Sequence, residues 1–324
     1  MLKQFTVKGN NYECGYQIGK EFSNQIKRRL VIHDATAKNV EKFRKDLEKV
    51  HKICSEKYPQ YIEEIRGMSE GSGIDYWQLL LMSSPEIAER KEGCTTIAIR
   101  NDKESLLAHN EDEDNKEQKK NCALLTVIQK DMTFHSFLYP GELPGSAYNW
   151  NSYGLIATVN YVVPLSFNKT GVPRFFVARA VIEAKNPQEA ISILRKSDCA
   201  SGYHHYIIQN EDMFSIEQSC NRLSIVPISG IYAHTNHYVH ESFAKKAHAS
   251  KHSATRLARV KELIQKGKIP LDILFDKKNR PNPIFNRSGD GSRTLSTVVF
   301  YPMQNKVLIY EKDSKKKYIS MKIN

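Results

Sequence analysis

The stretch Gly93-Cys94-Thr95-Thr96-Ile97-Ala98-Ile99-Arg100, followed closely by Glu104-Ser105-Leu106-Leu107-Ala108-His109-Asn110, changes the character of the chain. Both segments are short, rich in aliphatic and β-branched residues and bounded by polar turns, which is how strands packed on a core read. The pattern continues through residues 122–129, 133–140 and 154–163 and returns at 204–210, 213–219 and 222–228. A closing hairpin is predicted over 294–301 and 306–311.

Outward from these strands the sequence is helical. Residues 15–27 and 34–57 carry apolar side chains at three-to-four spacing, among them Val40, Phe43, Leu47 and Val50, until Pro59 interrupts the pattern. Two shorter helices are predicted at 61–70 and 75–82, separated by Gly71-Ser72-Gly73. Helices are also expected at 174–183, at 186–196 with Asn186 as cap and Pro187 at the first helical position, and at 254–266. Helices in blocks between blocks of strands argue for an α+β fold rather than an alternating one. Two antiparallel sheets with helices outside, a four-layer αββα sandwich, fit that order. No linker divides the chain, so residues 1–93, a helical N-terminal segment, and 94–324, which carries the chemistry, are read together as one globular domain.

Composition narrows the function. The 324 residues are 40% hydrophobic and 10% aromatic, enough for a packed core and incompatible with a disordered or collagen-like chain. No run approaches the ~20 apolar residues of a membrane span. The N-terminus, MLKQFTVKGNNYECG, lacks the apolar stretch of a secretory signal. The expectation is a soluble cytoplasmic protein without membrane partners. The net charge of +12 is spread through helical stretches with glutamates between the basic residues, and no zinc-finger, RRM or basic-zipper pattern accompanies it. No nucleic-acid partner is therefore expected. Six cysteines, at 14, 54, 94, 122, 199 and 220, form no CxxC pair, and in a cytoplasmic chain they should be reduced thiols. His234-x-x-His237 is the nearest approach to a metal spacing, and neither a metal nor a cofactor is expected.

One cysteine stands apart. Cys94 opens a strand directly after Gly93, where a glycine lets the backbone bend. A buried strand cysteine is ordinarily inert packing. Eighteen residues further on comes Asp112, in His109-Asn110-Glu111-Asp112 at the end of the next strand. A hairpin between the two strands brings that end back beside Cys94. Against this, Glu113, Asp114 and Glu117 follow closely, so the same residues also read as a solvated acidic turn.

Further motifs appear in order along the chain: Tyr12-Glu13-x-Gly15-x3-Gly19, Gly93-Cys94-Thr95-Thr96, Asn110-x-Asp112, Tyr139-Pro140-Gly141-x-Leu143-Pro144-Gly145, Gly154-Leu155 leading to Asn160, Thr235-Asn236-His237 and Ser292-Arg293. In this order and spacing the sequence resembles the penicillin acyltransferase and isopenicillin-N acyltransferase-like proteins, which are N-terminal-nucleophile hydrolases. Bile-salt hydrolases and penicillin V acylases are more distant relatives. His109, where those relatives have arginine, is similar to the β-alanyl-dopamine hydrolase branch.

The resemblance implies a precursor that cuts itself between Gly93 and Cys94, giving chains 1–93 and 94–324. The freed α-amine, with a reference pKa near ~7.7–8.0, then acts as base for its own thiol. By the same resemblance Asp112 orients the new amine or thiol, Asn160 and Asn236 supply the oxyanion hole, and Arg293 fixes the aspartate or assists the nucleophile. His109, Glu111 and Tyr139 line the substrate site, where the acids would hold an ammonium group. The activity implied is hydrolysis or acyl transfer on a small-molecule amide or acyl donor through a Cys94 thioester. The alternative is a family member without catalysis that binds a small molecule. Homo-oligomerisation is left open.

Overall fold

Local chemistry sets the element boundaries. Asn10 and Glu13 cap the first long helix reciprocally: the Asn10 side chain accepts from the Glu13 N–H, and the Glu13 carboxylate accepts from the Asn10 N–H at 2.8 Å. Asn186 caps another through the Glu189 N–H, with Pro187 at its first helical position. The computed structural model describes residues 2–87, 93–114, 119–220, 222–287, 292–310, 314–316 and 318–324, with the side chains of 114 and 119 excepted. Glu117 and the Asp114 side chain, named above, lie outside the described residues.

The chain begins with β1 (Lys3–Lys8), then α1 (Asn11–Ile32), α2 (Ala37–Lys42), α3 (Arg44–Lys57), α4 (Pro59–Ser72) and α5 (Tyr76–Met82). Strands follow: β2 (Gly93–Arg100), β3 (Ser105–Asp114), β4 (Ala123–Ile128), β5 (Thr133–Leu138), β6 (Tyr148–Asn151) and β7 (Ile156–Tyr161). After α6 (Arg174–Ile182) and α7 (Pro187–Lys196) come β8 (Tyr203–Gln209), β9 (Asp212–Ser219), β10 (Arg222–Pro227) and β11 (Gly230–His234). The chain closes with α8 (Glu241–Ala244), α9 (Lys251–Gln265), α10 (Pro270–Leu274), β12 (Ser292–Tyr301), β13 (Lys306–Tyr310) and β14 (Tyr318–Met321). None of the described helices is long and apolar enough to cross a membrane.

One sheet has eight strands in the order β1-β4-β5-β6-β7-β8-β9-β10, and the other six, β11-β2-β3-β12-β13-β14. Three apolar clusters define the layers. The first joins α1, α3, α4, α6 and α7 to one face of the eight-stranded sheet through Ile18, Leu47, Met68, Val177, Leu125 and Ile207. The second lies between the sheets, where Phe137, Trp150 and Tyr206 meet Ala98, Leu107 and Val298. The third packs Ile97, Ala108 and Val299 against Val260, Leu263 and Ile273 of α9 and α10. The order helix, sheet, sheet, helix is the αββα sandwich expected from the sequence.

The N-terminal segment differs from its helical reading. β1 pairs in parallel with β4, from Lys3 opposite Ala123 to Lys8 opposite Ile128, so residues before α1 extend the larger sheet. The continuous helical pattern over 34–57 is broken at Phe43, which ends α2 and starts α3. Pro59 occupies the first turn of α4.

The Gly15-x3-Gly19 motif is a packing device. A Cβ on Gly15 would fall 2.0 Å from the Glu64 carbonyl oxygen, and one on Gly67 2.0 Å from that of Tyr12. Only glycine lets the backbones of α1 and α4 come so close. Beside this contact the buried Arg179 guanidinium pairs with Glu64 at 3.1 Å and with Glu183 at 2.8 Å.

Candidate active site

The β2–β3 ladder places Cys94 opposite Glu111, Thr96 opposite His109 and Gly93 opposite Asp112. Side chains alternate along a strand, so these pairs divide between two faces. Cys94, Thr96, His109 and Glu111 share the face of Ala98 and Leu107, which looks into the space between the sheets. Gly93, Thr95, Asn110 and Asp112 share the face of Ile97 and Ala108, which looks toward α9 and α10.

On the inner face the Cys94 Sγ lies 3.8 Å from Glu111 Oε2. The other carboxylate oxygen of Glu111 accepts from the Tyr139 hydroxyl at 2.7 Å, and Oε2 is 3.0 Å from His109 Nε2. His109 Nδ1 meets Thr96 Oγ1 at 2.7 Å, and Thr96 donates to Asn160 Oδ1 at 2.8 Å. Burial pushes the His109 imidazole down to about 3. The same burial, reinforced by Glu111, raises the Tyr139 phenol well above its ordinary value, which keeps it a donor.

Tyr139 reaches this position through its loop. Gly141 and Gly145 both have positive φ, and a Cβ on Gly145 would lie 2.9 Å from the α6 backbone. The Tyr139-Pro140-Gly141 turn is held by the buried Arg29, which donates to the Pro140 carbonyl at 2.9 Å, pairs with Glu142 at 2.7 Å and lies over the Tyr139 ring.

On the outer face the backbone of Cys94 is gripped by side chains from distant elements. The Cys94 N–H donates to Asn236 Oδ1 at 3.1 Å, and Arg256 Nη1 donates to the Cys94 carbonyl at 2.7 Å. Arg256 also donates to Thr95 Oγ1 at 2.6 Å and to Asn236 Oδ1, and its guanidinium is 3.8 Å from Asp112. Asp112 accepts from Thr294 at 2.5 Å and from Asn286 at 3.0 Å. Burial raises its carboxyl to about 6, with Arg256 and these two hydrogen bonds pulling the other way. Gly93 is tight against it: a Cβ there would meet the Asp112 Cβ at 3.3 Å.

Asn236 Nδ2 donates to the Tyr161 carbonyl at 3.0 Å, and its backbone N–H donates to Ser253 Oγ at 2.7 Å. Asn160 Nδ2 donates to the Thr235 carbonyl at 3.0 Å. An amide nitrogen carries two protons, so each asparagine keeps a second N–H beyond these bonds.

Cys94, His109, Glu111, Asp112, Tyr139, Asn160 and Asn236, named from the sequence, thus belong to one connected cluster. Arg293 does not. It stands opposite Glu113 in the β3–β12 ladder, and its side chain makes no hydrogen bond or ion pair with another described residue. The guanidinium beside Cys94 is that of Arg256. Its signal was present in the sequence: Ser253, Arg256, Leu257, Val260 and Leu263 form the buried stripe of α9, and an arginine on an apolar stripe needs a buried partner. Thr96 and Ser253 were missed because nothing local separates them from ordinary strand and helix polar residues.

Cys94, His109 and Glu111 are also the one group of three metal-ligating side chains found together among the described residues. His234 and His237 are held apart by separate partners, Glu217 at 3.3 Å and Ser253 at 2.7 Å.

Residues 99–316 match the model of a family described as acyl-coenzyme A:6-aminopenicillanic acid acyl-transferase. The beta-alanyl-dopamine/carcinine hydrolase of Drosophila melanogaster is 24% identical over 216 residues, a match that covers 58% of this chain and 56% of that protein. The chain therefore spans little more than half the length of that curated relative. Among solved structures, a variant of the conjugated bile acid hydrolase from Clostridium perfringens aligns with a TM-score of 0.49 at 11% identity, over 71% of this chain and 92% of its own. Penicillin V acylase from Agrobacterium tumefaciens aligns with a TM-score of 0.38 at 11% identity, over 70% and 84%.

Proposed function

The chain belongs to the acyl-coenzyme A:6-aminopenicillanic acid acyl-transferase family, and on that premise we propose that it is a self-cleaving cysteine amidohydrolase or acyltransferase. Its substrate is a small N-acyl or aminoacyl amide, taken through a thioester on Cys94. One observation carries the reading: side chains from remote elements hold both backbone polar groups of Cys94, the N–H by Asn236 and the carbonyl by Arg256. A residue serving only as packing has no need of such a clamp. A residue whose nitrogen must become a free amine, and stay beside its own thiol, does.

In this reading the Cys94 thiol attacks the Gly93 carbonyl carbon, the Cys94 nitrogen leaves as the α-amine with the thiol proton and stays on Asn236 Oδ1, and water hydrolyses the resulting Gly93 thioester to a free carboxylate and the Cys94 thiol. The amine takes the thiol proton, and the thiolate attacks the substrate carbonyl. The remaining N–H groups of Asn160 and Asn236 stabilise the oxyanion, a donor effect worth about 2.7–4 kcal/mol each. The α-ammonium returns its proton to the leaving amine, and water or a second amine then attacks the thioester. Asp112 acts through Arg256, on the outer face, to fix the Cys94 backbone.

Glu111 is aimed by Tyr139 and His109 at a point beside Sγ, where an acyl group bearing its own amine would take up the proton between Oε2 and Nε2 and pair as an ammonium with the carboxylate. β-Alanyl-dopamine and carcinine, the compounds in the name of the Drosophila relative, are therefore the first to test, together with other β-alanyl amides. The decisive measurement is intact mass of the purified protein before and after mixing with a β-alanyl amide. The expected result is two chains of 93 and 231 residues, with the acyl mass added transiently to the larger one. Turnover without any adduct, by a chain that stays whole, would sink the mechanism.

A further inference from the structure

We propose that Cys94 Sγ, His109 Nε2 and Glu111 Oε2 form a binding site for a thiophilic divalent cation, zinc foremost, and that a bound ion silences the enzyme by occupying its nucleophile. The inhibitory consequence rests on the reading above; the site itself does not.

The donor spacing fits. Sγ and Oε2 are 3.8 Å apart, Oε2 and Nε2 3.0 Å, and all three atoms lie within 4.8 Å of one another. A tetrahedral zinc with ligand bonds of about 2.0–2.3 Å sets its donors roughly 3.3–3.8 Å apart. Small rotations of these side chains reach that geometry.

The hydrogen-bond network also assigns the ring nitrogen. Asn160 must turn Nδ2 to the Thr235 carbonyl, so Oδ1 faces Thr96 and takes its only hydroxyl proton. Thr96 Oγ1 can then only accept from His109, which fixes the proton of the neutral ring on Nδ1. The lone pair of Nε2 is left aimed at Glu111 and Cys94. This is the arrangement of a ligating histidine whose far nitrogen is held by an outer partner. Glu111 has such a partner too, in the Tyr139 hydroxyl on Oε1.

Charge completes the case. All three side chains are buried, and an uncompensated ion there would be costly. A thiolate, a carboxylate and a neutral imidazole neutralise one divalent ion. Binding releases the thiol proton and the proton shared between His109 and Glu111 to solvent, and nothing is oxidised or reduced. If the chain is cut before Cys94, the α-amine adds a fourth donor, closing a five-membered chelate ring with its own Sγ.

Cobalt(II) is the probe, added to the purified full chain and followed by absorption, with zinc as competitor and amide turnover measured in parallel. The expected result is one tight cobalt per chain with a thiolate-to-cobalt charge-transfer band, displaced by zinc. Turnover should be lost on zinc addition and restored by EDTA. Cys94→Ala should remove the band. His109→Gln and Glu111→Gln should each weaken binding by tenfold or more, and Thr96→Val, which touches no donor atom, by roughly 10- to 100-fold. Circular dichroism checks that each variant is folded, and a misfolded one is replaced by Glu111→Asp, which should retain weakened binding. A cut, active chain without the band overturns the metal site alone. An uncut chain inactive on amides that still gives the band supports the site and overturns the proposed function. Zinc binding indifferent to Cys94 and Glu111 overturns the site.

Discussion

The two faces of the β2–β3 ladder do different work, though their residues alternate one by one in the sequence. The inner face carries the groups able to react or to touch a substrate: the Cys94 thiol, the Glu111 carboxylate and the His109 imidazole, with Asn160 reaching across from the other sheet. The outer face carries support, where Asp112 and Arg256 meet behind the Cys94 backbone, together with Thr294 and Asn286. In His109-Asn110-Glu111-Asp112, then, the first and third residues face the Cys94 thiol between the sheets and the second and fourth face α9 and α10. Asn110 bears this out: it donates to the Leu274 carbonyl of α10 and accepts from Thr297. Residues adjacent in a motif need not share a role, because in a strand they are on opposite sides of a sheet.

The harshest test removes the inner thiol, the proposed nucleophile. Cys94→Ala should abolish both chain scission and turnover, since neither a thiolate nor a released amine is then available. Intact mass and an amide assay report the two losses separately. Cys94→Ser divides them: its hydroxyl supports scission, while formation of the acyl intermediate collapses for want of a thiolate. A fully active alanine variant would remove the distinction between the faces altogether.

Asn236 touches both sides of the division, since its Oδ1 holds the Cys94 nitrogen and its Nδ2 is the proposed oxyanion donor. Asn236→Ala should lower kcat roughly 100- to 1000-fold with KM nearly unchanged, the pattern of an interaction made mainly in the transition state. A change confined to KM would make Asn236 a substrate-binding residue. Asn160→Ala should act in the same direction.

How much of this was legible in the sequence depended on the range of the signal. The hairpin that joins Cys94 to Glu111 is local, and the strand pattern revealed it. β1 was missed because its partner β4 is more than a hundred residues away and only Val7 of its six residues is buried. β11 is five residues long and half exposed, yet it flanks β2 and delivers Asn236. The break at Phe43 escaped because apolar spacing continues across it. The arginines part for a related reason: Arg293 lies in β12 two registers from Cys94, whereas Arg256, which meets the Cys94 carbonyl, comes from a helix of the outer layer. Which of two arginines meets a carboxylate is decided by packing between layers, about which strand periodicity says nothing.

Those two arginines give the next test. Arg256→Lys keeps a positive charge but loses the planar fork that bonds the Cys94 carbonyl, Thr95 and Asn236 together. Misplacing the nucleophile by an ångström should lower kcat on the order of 100-fold. Arg293→Ala should leave stability within about 0.5 kcal/mol of the parent, with turnover little changed. Steady-state kinetics on the pair decides between them, and the reverse ranking would return the catalytic arginine to β12.

The smallest expected effect isolates the outer face by its response to pH. Burial raises the Asp112 carboxyl from its ordinary 3.8 to about 6 in the folded chain. A group whose folded pKa is raised binds its proton more tightly when folded. Its contribution to stability is therefore fully present below pH 3.8 and is lost as pH rises through about 6. Asp112→Asn cannot titrate and has no such loss. Other groups titrate alike in both proteins and cancel in the difference, so the stability of the asparagine variant relative to the parent should rise between pH 4 and pH 7, levelling off above about 6. Urea midpoints of both proteins across that range measure it. A difference that is flat with pH would mean that Asp112 titrates as an ordinary exposed carboxylate, and the outer face would then not be the sealed, charged support on which the inner face depends.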